Sequence, residues 1–165
     1  MKRKLQSGFT LIELVVVLVI IAIMAALALP RFANLQAQAR IAKMQGALGA
    51  MRSASVMAHA VLLASGYRTD HTGDPNAPNI NVEGTNVVYV NGYPNAATIA
   101  PLAGLVATDY VITAAAPIVT ITPDANHPNC SIIFNEALPA GGTAVNPIYN
   151  QPVFNTANLT VANCD

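Results

Sequence analysis

Charge is scarce in this sequence: of 165 residues only 10% are charged, with 8 basic and 8 acidic side chains and a formal balance of zero. No basic surface of the kind that binds nucleic acid is available, so charge predicts no nucleic-acid partner. The three histidines, His59, His71 and His127, are scattered, and no HExxH, GxSxG or Cys-His arrangement accompanies them. The chain is therefore read as not an enzyme, with no catalytic residues and no cofactor. Asp70, His71, Asp74 and Asn76 cluster in a turn-rich stretch, but the glycine and terminal bidentate glutamate of an EF-hand loop are missing, so no metal site is predicted. Cysteine is limited to Cys130 and Cys164, without CxxC spacing or a nearby cationic motif.

Hydrophobic residues, by contrast, make up 53% of the chain, and much of that weight lies near the N-terminus. From Phe9 to Leu29 the only charge is Glu13. As a helix this run reaches about 31 Å, enough to cross a bilayer core. A carboxylate inside it is costly in lipid and needs a partner. Lys2, Arg3 and Lys4 precede the run and only Arg31 lies directly beyond it, so the positive-inside bias puts residues 1–8 in the cytoplasm and the C-terminal part outside. A cleavable secretory signal is the rival reading, with Ala26 to Ala28 as its nearest cleavage site, but cutting there would discard Glu13.

The short basic leader, Gly8, and then Phe9-Thr-Leu-Ile-Glu13-Leu resemble the prepilin signature of type IV pilins and type II secretion pseudopilins. The resemblance implies that a prepilin peptidase cuts between Gly8 and Phe9 and methylates the new N-terminus at Phe9. Loss of residues 1–8 removes three basic groups and no acid, leaving 5 basic against 8 acidic, a balance of −3. Glu13 would then pair with the Phe9 ammonium of a neighbouring subunit, cancelling two charges that an apolar filament core tolerates badly one at a time. Residues 1–8 are thus the cleaved leader, 9–30 the transmembrane and filament-core half of a helix, and 31–165 the globular domain.

Within pilins, the short leader and Phe9 resemble the type IVa class, and ALPRFANLQAQAR with VNGYPNAATIAPLAGL resembles the mannose-sensitive haemagglutinin-type pilins. That implies a structural subunit of a homopolymeric helical filament, supporting attachment, adhesion and biofilm formation. Its partners would be the peptidase, the pilus assembly machinery and the inner membrane before assembly; its destination, the extracellular pilus. Retention of Glu13 argues for a main-shaft subunit. The alternatives are a type II secretion pseudopilin, which shares the leader and Glu13, and a membrane-anchored extracytoplasmic enzyme or binding protein.

Beyond Pro30 the pattern becomes amphipathic. Ile41, Met44, Leu48, Met51, Ser55, Ala58 and Leu62 alternate steps of three and four, while Arg40, Lys43 and Arg52 lie off that row. The spacing predicts one helix from Phe9 to Ala64, with Ser65-Gly66 as its stop. Pro30 removes a backbone N–H, so a kink or local unwinding is expected near Ala26 to Pro30. Gly46 and Gly49 leave room for a close approach. Only Phe9 and Phe32 are aromatic along this helix, which gives no support to a conductive aromatic stack.

Tyr67 to Gly84 reads as a surface loop. Thr85 to Val90 reads as a strand ended by an Asn91-Gly92 turn, and Ala96 to Val106 as a short helix. Further strands are expected at Tyr110 to Thr113, Ile118 to Thr122, Ser131 to Asn135 and Leu159 to Ala162, with a long loop from Ala137 to Pro152. The fold class is α+β: a long kinked N-terminal helix, apolar in its first half and amphipathic in its second, packed on a small antiparallel β-sheet domain. Cys130 and Cys164 lie outside the cytoplasm, where oxidation is permitted, and a disulfide is predicted; two free thiols or a redox pair are the alternatives. The resemblance gives such a pair the role of bounding a C-terminal surface loop. Asn129-Cys-Ser131 and Asn158-Leu-Thr160 match the glycosylation triplet, which is common by chance, and no role is assigned to them.

Overall fold

The computed structural model describes residues 8–66, 79–143 and 146–165. Residues 1–7 of the leader, and the Asp70, His71, Asp74 and Asn76 cluster, lie outside these. The first element, α1, spans Leu11–Ala64, 54 residues of helix. Its apolar half is rich in valine and isoleucine, poor helix formers in water, but in lipid only a helix satisfies every backbone group of a single segment internally. The expected stop is where the helix ends: Gly66 takes φ +76° and its N–H bonds the Leu63 carbonyl at 3.1 Å. Helical backbone runs unbroken through residues 26–30, so the local unwinding expected there does not occur.

The chain divides into two compact units, Met1–Gln36 and Ala37–Asp165. In the second, the predicted row is the buried face: Met44, Met51 and Ala58 have no exposed surface, and Ser55 and Leu62 almost none. Ala37, Ala47 and Ala54 are buried beside them. Small residues there let the sheet approach the helix closely. A Cβ built on Gly46 or Gly49 meets nothing within 4 Å, so among the described residues nothing uses the room they leave.

After the helix come β1 (Ile80–Val82) and β2 (Thr85–Val87), then β3 (Tyr89–Val90) and β4 (Tyr93–Pro94), each pair an antiparallel hairpin. The loop expected from Tyr67 to Gly84 therefore contains a strand. Its turn uses Glu83 at φ 48° and Gly84 at φ 82°, and Asn81 holds it by accepting the Gly84 N–H at 3.0 Å. Glutamate is an unusual residue for that conformation, which concealed the hairpin. The Asn91-Gly92 turn forms as expected, with φ 52° and 84°. The run Thr85 to Val90 is broken at Val88, whose carbonyl accepts the Asn95 N–H at 2.9 Å. The short helix α2 is limited to Ile99–Leu102.

The main sheet is antiparallel and joins β5 (Val111–Ala115), β6 (Ile118–Thr122), β7 (Ile132–Asn135) and β10 (Val153–Asn155) in the order β10-β7-β6-β5. Opposed pairs Val119↔Phe134 and Ile121↔Ile132 are buried and join Met44, Met51, Val87 and Ile99 in one core cluster. The region expected as a loop from Ala137 to Pro152 holds a further hairpin, β8 (Pro139–Thr143) with β9 (Asn146–Tyr149). The strand expected at Leu159 to Ala162 is instead the start of a terminal helical turn, α3 (Val161–Cys164), in which the Thr160 hydroxyl caps the Asn163 N–H at 3.3 Å.

The predicted disulfide is present. Cys130 and Cys164 are bonded, with Cα atoms 4.7 Å apart and both side chains buried. Closing a loop of this length stabilises a fold by about 3 to 4 kcal/mol on the chain-entropy model. Polar ties complete the domain. Arg40 donates to the Cys164 carbonyl at 2.7 Å, and Lys43 to the carbonyls of Asp109 and of Pro123, the latter at 2.9 Å. His59 Nδ1 donates to the Gly92 carbonyl at 2.7 Å, its ring stacked on Tyr93. The buried Tyr89 hydroxyl donates to the Ala58 carbonyl at 3.1 Å, and burial pushes its pKa up.

Asp124 lies 3.8 Å from Arg40 and 2.7 Å from the His127 ring. Burial pushes its carboxyl pKa up, but the His127 ring hydrogen bond, the Asn126 N–H and the charges of His127 and Arg40 outweigh it and hold the carboxyl below the ordinary value. A depressed native pKa contributes stability that is present above the unfolded value, near ~3.9, and lost as pH falls through the native one. Asp124→Asn should flatten the decline in stability below about pH 4, measured as the denaturation midpoint against pH.

Candidate functional site

The sequence places three candidate residues within six positions: Gly8, Phe9 and Glu13. Gly8 and Phe9 precede the helix and are exposed, Phe9 at 93%. A Cβ built on Gly8 would meet nothing within 4 Å, and its φ lies outside the left-handed region, so the fold itself makes no demand for glycine there.

Thr10 and Glu13 form a capping box, an arrangement that Thr-x-x-Glu spacing signals and that reading Glu13 only as an assembly residue overlooks. The Thr10 hydroxyl accepts the Glu13 N–H at 3.3 Å, while Glu13 Oε2 takes the Thr10 N–H at 3.0 Å and its hydroxyl at 2.8 Å. Helix start and carboxylate position are thereby set together. Among the described residues nothing donates to Oε1, which leaves one oxygen for a further donor. The carboxylate also sits in the first helical turn, where the exposed N–H groups and helix dipole favour negative charge.

Beyond Glu13 every large apolar side chain from Leu14 to Leu27 is exposed, and residues 11–28 form a helix long and apolar enough to cross a membrane. Pro30 lies within α1, remote in sequence from these residues. Cys130 and Cys164 belong to the second unit, where they bond to each other. His59 and His127 serve packing and turn structure in that unit. The Asn158 amide, in one of the glycosylation triplets, is engaged with the Ser131 hydroxyl at 2.9 Å. Arg40 and Lys43, which periodicity marks only as lying off the apolar row, tie the helix to backbone carbonyls of the domain.

The prokaryotic N-terminal methylation motif matches residues 3–29. Over 52 residues, 32% of the chain, the sequence is 44% identical to the type IV major fimbrial protein FimA of Dichelobacter nodosus, covering 33% of that protein. It is 51% identical over 52 residues to the type IV narrow pilus major component PilA5 of Thermus thermophilus, covering 45% of it. These findings support a type IV pilin. The chain is also 44% identical over 54 residues to the type II secretion system core protein G of Pseudomonas aeruginosa, covering 38% of that protein. The matched segment spans about a third of the length of the fimbrial relatives. No solved structure matches the chain.

The capping box carries its own test. Thr10→Ala removes the hydroxyl that closes the box, a loss of about 1 kcal/mol at a helix start, so hydrogen exchange at the Glu13 amide in detergent micelles should quicken about fivefold. Thr10→Ser, which keeps the hydroxyl, should leave exchange near the wild-type rate.

Proposed function

We propose that this chain is a structural subunit of a type IV pilus filament. The observation that carries the reading is the helix over residues 11–28: wholly exposed, apolar, and interrupted only by the carboxylate of Glu13 in its first turn. Water does not cover that surface favourably. Lipid does so first, in the inner membrane, and the same helices of other copies do so in the filament on the cell surface.

Processing follows from the junction. A peptidase cutting after Gly8 exposes an ammonium on Phe9, one residue before the Thr10 cap, and methylation leaves it cationic. Glu13 Oε1 then receives the Phe9 ammonium of a neighbouring subunit, while Oε2 stays with Thr10. Moving the apolar face from lipid to protein gains little by burial, since both are apolar, so the charge pair and close packing decide correct docking. In the same reading Pro30, inside α1, allows the helix to bend between its filament-core half and the domain. The adhesive, mannose-sensitive haemagglutinin-type assignment rests on the two quoted segments. The second coincides with one structural unit, running from β3 through the Asn91-Gly92 turn, the Asn95 side chain that accepts the Thr98 N–H at 3.0 Å, and α2.

The core protein G match favours a second reading, the pseudopilus of a type II secretion system. The disulfide speaks for the pilus, because pseudopilins of the major class usually have a calcium loop in place of such a bond. Surface filaments that persist when the secretion system is deleted would separate the two.

Two substitutions test the mechanism. Replacing Gly8 with a bulky residue should leave uncut precursor in the membrane, seen by intact mass, because open space surrounds that position and folding is unaffected. Glu13→Ala should insert and be cut normally but give few fibres when it is the sole subunit; wild-type fibre yield would refute the pairing.

A further inference from the structure

The main sheet ends differently at its two edges. β10 is three residues long, follows Pro152, and carries the Arg52 guanidinium 5.7 Å from its Phe154 ring. Short length, proline and charge are the usual means of blunting a strand edge. β5 is longer and contains neither proline nor charge among its own residues, the nearest cation being Lys43, whose Nζ lies 4.5 Å from the ring of Tyr110 just before the strand. It is five residues, Val-Ile-Thr-Ala-Ala, in a stretch without charge from Tyr110 through Pro123.

Four of its five residues are exposed, including Val111 at 40%, and only Ile112 is partly covered. In an antiparallel strand alternate residues bond to one side, so those not engaged with β6 direct their N–H and C=O groups outward. Among the described residues β5 pairs with β6 alone. The solvent face beside it, with Ile118, Thr120 and Ile133, is likewise uncharged.

We propose that this edge pairs with the β5 edge of a second copy of the chain, antiparallel and centred on Thr113, to make one continuous sheet across two subunits. The strand is complementary to itself in that register. Thr113 meets Thr113, Val111 meets Ala115, and Ile112 meets Ala114, so each large side chain faces a small one on the same side of the sheet. Asp109, the nearest charge on the N-terminal side, falls opposite Pro117 and not another acid. Subunits related only by a filament's screw cannot make such a two-fold contact, so the paired copies belong to different filaments and the contact bundles them. That last step rests on the pilus reading; the pairing does not.

The test uses the full chain on cells. Thr113 lies on the two-fold axis, where opposed Cβ atoms of about 4.5–5.5 Å separation approach disulfide reach. Both native cysteines are bonded and buried, so a new one reports alone. Under mild oxidation Thr113→Cys should give a homodimer on non-reducing gels, at least about tenfold above Ala115→Cys, which is equally exposed but faces Val111. Thr113→Lys should keep wild-type fibre yield yet lose lateral bundles in electron micrographs, because two ammonium groups would meet at the axis. Equal cross-linking of the two cysteine variants, a cross-link to a different protein, or bundles retained by Thr113→Lys would each overturn the pairing. If the protein forms no filaments at all, the cysteine comparison on the membrane-anchored chain still decides the pairing, while the pilus reading falls separately.

Discussion

A helix whose first half is apolar on every side constrains everything else in this protein. Between Phe9 and Leu27 the large side chains are exposed all round, and keeping each buried methylene away from water is worth about 0.8 kcal/mol. Water covers them unfavourably, and in the reading proposed for this chain lipid, then other copies of the same helix, take its place. Both environments are apolar, and choosing between them falls to the few polar groups present. Thr10 and Glu13 are those groups, and the capping box holds the carboxylate at the helix start with one oxygen committed and the other open.

The second unit solves the opposite problem with the same helix. From Ala37 onward α1 is buried along one face only, and the alanines at 37, 47, 54 and 58 bring the sheet close while Met44 and Met51 fill the spaces between. With so few charges, the domain fastens its loops to the helix largely through backbone carbonyls. Arg40 and Lys43 together reach three of them, at Cys164, Asp109 and Pro123. These contacts join the disulfide-bonded C-terminus and the β5 and β6 flanks to one turn of α1.

Similarity to known proteins and structural individuality fall in different places. The methylation motif covers residues 3–29, and the fimbrial matches cover 32% of the chain. The hairpins and the four-stranded sheet with its β5 edge lie outside the methylation motif.

The helix, its stop at Ser65-Gly66, its buried row and the β6 strand at Ile118 to Thr122 were legible because each depends on local periodicity or on one residue's backbone freedom. Glu13 stood out for a related reason, as a charge inside an apolar run, whereas Gly8 and Phe9 were singled out only by the resemblance of the junction to the prepilin signature, and their roles are proposals. The hairpin turning at Glu83-Gly84 was not legible, since Asn81 rather than the turn residues secures it, nor was the terminal turn of α3, where Val161 and Ala162 lie in a helical turn capped by Thr160 and ending at the disulfide-bonded Cys164. Arg40 and Lys43 could not be read as anchors either, because their acceptors are backbone carbonyls more than 60 residues away. The sequence by itself determined that this protein has a membrane-length apolar helix, one misplaced carboxylate and an amphipathic continuation, all properties of neighbours along the chain. Which strands pair, which edge stays open and which carbonyls receive the helix's cations were decided only in three dimensions, where distant segments compete for the same face.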